Sequence, residues 1–227
     1  MPDREGNSGH HDRICASRWE QDEWVSGECR PRATGRRRDS RVVGPQRPDL
    51  RGGRPLRAGR GNALAPDLYK GRLTAEPDEA NHLMTGLDFA DATQQDLRGA
   101  AQHLQTQSGK VAVMGYCMGG ALTIAAAVHI PEFTAGVCFY GIPPKALADP
   151  ARIRVPLQGH FANKDDWCTP AAVDDLEKAL KTAAVKHEIY RYAAAHAFAN
   201  ERSAAYDVAC ANQAWERMIA FLRAQIA

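Results

Sequence analysis

Residues 113–120 read VMGYCMGG. A cysteine stands between glycines at the end of an apolar run, and ALTIAAAVHI, rich in small and aliphatic residues, follows it. The run KVAVMGY is short and unbroken, as in a strand buried on both faces. ALTIAAAVHI is expected to be a helix. Gly115-Tyr116-Cys117-Met118-Gly119 is therefore G-x-C-x-G between a strand and a helix. That is the pattern of a nucleophile elbow with Cys in place of Ser. Such a turn strains the nucleophile's backbone, and its neighbours must be small; Gly115, Gly119 and Gly120 meet that need. The thiol would project at the carboxyl end of the strand, where helix N–H groups favour a thiolate. The Met118 N–H would face a developing oxyanion. A buried structural cysteine in a glycine-rich turn has the same local spelling, so the surrounding chain has to decide.

Outward from the elbow, strands and helices alternate. NALAPDLY (62–69) reads as a short strand ending in a loop. Residues 88–107 carry Phe89, Ala92, Leu97, Ala100, Ala101 and Leu104 at helical spacing. After the elbow helix come a strand in TAGVCFYG, another in RVPLQGHF, an amphipathic helix in AAVDDLEKALKTA and a strand in KHEIYRYA. Residues 206–226 close the chain as a helix with Ala209, Trp215, Ile219 and Leu222 on its apolar stripe. This alternation predicts an α/β fold, a mostly parallel sheet with helices on both faces. An elbow enzyme needs an acid and then a histidine after later strands. ANKDDWCTP supplies Asp165 and Asp166 after one strand, and AAAHAFAN supplies His196 after the next. Alone, His196 reads as a surface or core histidine and Asp165 as a cap or loop charge. Together, in that order, they raise the elbow reading well above the structural one.

The bulk of the chain fits this. The 227 residues carry a formal net charge of +2, so no global field draws the protein to nucleic acid or membrane. No apolar run approaches a membrane-spanning length, and MPDREGNSGHHDR lacks the apolar core of a secretory signal. The six cysteines (Cys15, Cys29, Cys117, Cys138, Cys168, Cys210) are scattered, which suggests free thiols in a reducing cytoplasm. Cys138 and Cys210 are expected in the core, and Cys168 as a loop thiol. No Cys/His spacing points to a metal, and His10-His11 reads as solvated. GYCMGG lacks the lysine and spacing of a phosphate loop, so no cofactor is expected. Trp167 and Phe198 read as pocket or core lining.

From Asn62 to the C-terminus, about three quarters of the chain, the sequence resembles the dienelactone hydrolase family of α/β-hydrolases. NALAPDLYKG, KVAVMGYCMGGALT, FYG, PLQGHFANKDDWCTP and YRYAAAHAFAN fall in that family's order. The resemblance implies a carboxymethylenebutenolidase-type reaction. Cys117 would be the nucleophile, His196 the base and proton shuttle, and an aspartate would orient His196. Spacing from His160 points to Asp165, and spacing back from Pro170 points to Asp166. The loop reads as one residue longer than usual, with the extra residue after the acid, so Asp165 is taken as the acid. The thiolate would attack a lactone or ester carbonyl and form a thioacyl-enzyme, reactive enough for activated esters but unsuited to amides. By the same resemblance the substrate is a small dienelactone or enol-lactone, and no metal or cofactor takes part. Tyr69 and Arg202 would lie near the substrate carboxylate; a packing residue and a solvated charge are the equal alternatives. A monomer or weak homo-oligomer is expected.

Residues 1–61 differ in kind. They hold fourteen Arg, no Lys and nine acids, net +5, against net −3 for residues 62–227. They show no periodicity and few aliphatics, and read as an irregular segment preceding the hydrolase-like domain of residues 62–227. The resemblance places a strand and a Gln-Glu loop of the oxyanion hole in this region. Shifted by one nucleotide, codons for RRRDSRVVGPQRPD (36–49) can be read as VVVIQEWWGLNDQI, a strand followed by Gln-Glu. About residues 36–61, with an extension into much of 1–35, are therefore read as a frame-shifted translation of the family's N-terminal part. That would leave an unpaired sheet edge and one oxyanion donor missing, and makes an inactive or impaired relative the alternative function. A basic arm for nucleic acid is disfavoured by its interleaved acids and lack of aromatic spacing.

Overall fold

The computed structural model describes residues 41–43, 63–72, 74, 77–107 and 109–226. Its elements in chain order begin with β1 (Arg41–Val43), β2 (Ala63–Leu64), α1 (Pro77–Thr85) and α2 (Phe89–Asp91). A π-helical stretch (Ala92–Leu97) leads into α3 (Arg98–Gln105), then β3 (Val111–Tyr116), α4 (Met118–His129) and β4 (Phe133–Phe139). After a 3-10 turn at Pro150–Arg152 come β5 (Leu157–Lys164), α5 (Pro170–Thr182), β6 (His187–Ala195) and α6 (Val208–Ile226). Among the described residues six strands form one sheet in the order β2-β1-β3-β4-β5-β6, and every pairing between them is parallel. This is the parallel, helix-covered sheet that the alternation implied and the α/β-hydrolase architecture that the resemblance implied.

The strand β3 shows why helices must cover both faces. Val111 and Val113 pack with Leu104 of α3 and Leu122 and Ala126 of α4. Ala112 and Met114 point the other way, into a cluster with Met218, Phe221 and Leu222 of α6. A strand alternates its side chains, so a strand apolar at every position needs a layer on each side. A third cluster seats α5 (Val173, Leu176, Leu180) on Leu157 and Phe161 of β5.

Four details differ from the sequence reading. The expected helix over 88–107 is not a single α-helix. From Ala92 to Leu97 is five residues, one more than an α-helical face allows, and the π-helical stretch takes up the excess so that both are buried. Helix α1 was not anticipated. The stripe of α6 runs through Ala211, Ala214, Met218, Phe221 and Leu222; Trp215 and Ile219 flank it and Ala209 is exposed. Cys168 is buried and Cys210 only half-buried, the reverse of expectation, because Cys168 is folded under the start of α5.

Of residues 1–61, the structure describes only 41–43. They form a strand between β2 and β3, with Val42 opposite Ala63 on one side and Ala112 on the other. The expected gap beside β3 is thus filled by three residues, two of them valines suited to extended backbone. The irregular and frame-shifted readings of the rest of this segment lie outside the described residues.

Candidate active site

Cys117 lies between β3 and α4 with φ 53° and ψ −118°, outside the regions that L-residues favour. The elbow is held from both ends. The Cys117 N–H donates to the Phe139 carbonyl at 3.0 Å, and the Cys117 carbonyl accepts from Gly120 N at 2.9 Å and Ala121 N at 3.1 Å. A Cβ on Gly115 would fall 2.0 Å from the Gly119 carbonyl oxygen, and one on Gly120 would fall 2.5 Å from the Phe139 oxygen. Gly119 corrects the sequence reading, since a Cβ there would meet nothing within 4 Å. Its backbone is the wall that Gly115 must clear. A further glycine escaped the sequence reading: a Cβ on Gly141 would meet the Cys117 carbonyl oxygen at 2.1 Å. Its position directly after FY at the end of β4 was the available signal.

The sheet register delivers the acid and the histidine. Lys164 of β5 pairs with Ala195 of β6, so the next residues, Asp165 and His196, leave the sheet side by side at its carboxyl end. His196 Nδ1 lies 2.8 Å from Asp165 Oδ2, and His196 Nε2 lies 3.3 Å from Cys117 Sγ. Asp165 is buried, and its other oxygen accepts the N–H groups of Trp167 at 2.8 Å and Cys168 at 2.9 Å. The carboxylate is thereby fixed in orientation with every nearby donor satisfied. Asp166, the alternative, is exposed.

Burial opposes a charge on His196, but the hydrogen bonds to Cys117 and Asp165 outweigh it and push the imidazole pKa up to about 9. Tyr140, at φ 36°, sets its ring edge-on to the imidazole at 5.1 Å, and the Trp167 indole stacks on it at 5.9 Å. Phe198 is core, packed on Tyr140 and Tyr192.

The remaining sequence candidates fall as follows. Met118 is the first residue of α4, so its N–H lies beyond intrahelical bonding. Tyr69 is buried, and its hydroxyl donates to Met118 Sδ at 3.8 Å. Burial first, and Cys117 second, push its pKa up to about 12, so it stays a donor. Arg202 is exposed in the turn after His196, its backbone N–H bound to Asn200 Oδ1 at 3.0 Å. In the shifted reading the Gln-Glu pair of the family's oxyanion loop falls at residues 40 and 41; residue 41 stands in β1 as Arg, and residue 40 lies outside the described residues. No group of three His, Cys, Asp or Glu side chains among the described residues could hold a metal ion.

With a thiol, an imidazole and a carboxylate in line at the carboxyl edge of a parallel sheet, comparison with known proteins decides the family. Residues 58–226 match the model of the dienelactone hydrolase family. The chain belongs to that family. It is 33% identical over 170 residues to "Protein usf" of Aquifex pyrophilus, covering 71% of this chain and 74% of that one. It is 32% identical, with the same coverage, to "Putative carboxymethylenebutenolidase" of Aquifex aeolicus. Among solved structures, a dienelactone hydrolase-like promiscuous phosphotriesterase from metagenomic libraries superposes with a TM-score of 0.66 at 22% identity, covering 86% of this chain and 89% of that one. The superposition speaks to the fold. Family and triad arrangement together make this dienelactone hydrolase relative a cysteine hydrolase of the carboxylic-ester and lactone class.

Proposed function

We propose that the chain opens small lactones and activated esters, with Cys117 as nucleophile, His196 as proton shuttle and Asp165 as the group that orients it. The observation that carries this is the unbroken line Sγ–Nε2–Nδ1–Oδ2, with links of 3.3 Å and 2.8 Å. Sγ gives its proton to His196 Nε2 and attacks the carbonyl carbon, and the Met118 N–H binds the oxyanion, a contact of the kind that contributes about 3–4 kcal/mol to barrier lowering. As the carbonyl re-forms and the bond from the acyl carbon to the leaving oxygen breaks, that oxygen takes the proton from His196 Nε2. Water then attacks the thioester and gives a proton to His196. The C–S bond breaks, the sulfur takes that proton back from Nε2, and the acid leaves and ionises in solvent, so the thiol is restored.

The preferred substrate is an enol-lactone carrying a carboxylate, as in the name of the Aquifex aeolicus relative. Its enolate is a good leaving group, which suits a thiolate nucleophile. Tyr69 and Arg202 are proposed to hold its carboxylate: the Tyr69 hydroxyl reaches the elbow, and Arg202 lies in the turn after His196. The four free cysteines among the described residues support action in the cytoplasm, as a monomer or weak homo-oligomer. No described helix is long and apolar enough to cross a membrane.

Hydrolysis of phenyl acetate and of a dienelactone by the full chain and by Cys117→Ala is the test. Turnover that vanishes in a folded Cys117→Ala supports the proposal. Turnover that survives it, or no turnover by a cooperatively melting wild type, refutes it.

A further inference from the structure

Trp167 is out of place by ordinary burial rules. It is 73% exposed, and among the described residues Val208 is the other large apolar side chain left in solvent. Its backbone, in contrast, is pinned. The Trp167 N–H is bound to Asp165 Oδ1, Thr169 caps α5 by accepting from Ala172 N, and Pro170 opens that helix. The loop's backbone is held by these bonds, and it presents the ring beside His196 at 5.9 Å and 29°. A solvent-facing indole stacked on the His196 imidazole, on a loop whose backbone is held, is a surface for another flat group.

We propose that Trp167 is a specificity-determining platform for the leaving-group half of the substrate, selecting flat, conjugated alcohols and enols. The inference rests on the hydrolase reading above. His196 Nε2 must hand its proton to the leaving oxygen, so that half of the substrate lies on the His196 side of Cys117. The ring stacked on His196 is Trp167. An unsaturated leaving group bonded to that oxygen can lie against the indole, whereas a saturated one gains little there.

Two acetate esters separate the idea from its rivals, because both form the same acetyl-enzyme. With phenyl acetate, Trp167→Ala is expected to lower kcat/KM roughly fivefold, mainly through KM, and Trp167→Phe to restore most of it. With 2,2,2-trifluoroethyl acetate, Trp167→Ala is expected to change kcat/KM by less than about twofold. Equal losses on both esters would make Trp167 a shield or a support for Asp165, and no loss on either would make it idle; each overturns the proposal. A second readout does not need turnover. Titration with 4-nitrobenzyl alcohol, a flat contact quencher, is expected to quench wild-type tryptophan fluorescence saturably. That component should be absent in Trp167→Phe, which keeps the other three tryptophans. Equal quenching in both proteins contradicts the platform. If the wild type hydrolyses neither ester, the hydrolase reading fails, while the quenching still decides whether Trp167 takes flat ligands.

Discussion

At the residue scale the site depends on which proton sits where. Asp165 Oδ2 faces Nδ1 of His196, so Nδ1 carries the proton and Nε2 is aimed at Cys117 Sγ. Replacing Asp165 by Asn keeps an acceptor for the Trp167 and Cys168 N–H groups but sets an amide N–H2 against Nδ1. The imidazole is driven to the wrong tautomer, and a fall in kcat/KM of about 10²–10⁴-fold is expected in a protein that still melts cooperatively. The pH dependence has a definite sign. His196 keeps its second proton, the one on Nε2, up to about 9, and acylation needs that proton for the leaving group. The kcat/KM for phenyl acetate should therefore hold through neutral pH and fall as pH passes about 9. A fall that begins near the ordinary histidine value of 6.5 would show that the two hydrogen bonds do not govern the imidazole.

At the element scale the elbow is a junction of three backbones with no room for side chains. Gly141→Ala would put a methyl group 2.1 Å from the Cys117 carbonyl oxygen, whose bonds to Gly120 and Ala121 start α4. Because every contact there is backbone, relief requires moving β4 away from the elbow. A loss of about 2–4 kcal/mol in denaturant melts is expected, together with loss of activity. Gly119→Ala, into open space at a helical position, should be tolerated in the same melts. The elements themselves were largely legible. KVAVMGY and ALTIAAAVHI are unambiguous because their apolar runs are short and flanked by glycine, and they hold Cys117 between them. The carboxyl ends of β5 and β6 could be read from sequence, but not that Lys164 pairs with Ala195. That register is set by tertiary packing, and it is what singles out Asp165 over Asp166. The π-helical stretch was hidden because a five-residue gap between Ala92 and Leu97 is invisible to a search for helical spacing. Gly141 was hidden because its constraint comes from a different strand.

At the scale of the whole molecule, the sheet binds the site together. The triad residues come from the ends of β3, β5 and β6, so their spacing is only as firm as the layers on either face. Phe161, buried among Leu157, Leu176 and Leu180, belongs to the layer under the Asp165 loop. Phe161→Ala should cost about 3–5 kcal/mol in denaturant melts. His196 ties stability to pH as well. Its pKa is raised from 6.5 to about 9 in the folded protein, so its contribution is complete below the unfolded value and disappears as pH rises through about 9. The melting temperature of the wild type should thus fall toward that of His196→Gln over this range. A constant difference between the two would contradict the coupling.

The central claim is that Cys117 carries the acyl group. Mixing the protein with phenyl acetate, quenching in acid within the first turnovers and weighing the intact chain tests it directly. The account predicts a species heavier by one acetyl group, mapped by digestion to the peptide containing Cys117, cleaved by hydroxylamine, and absent from Cys117→Ala. An acetyl group that persists in Cys117→Ala, or maps to another residue, would contradict it.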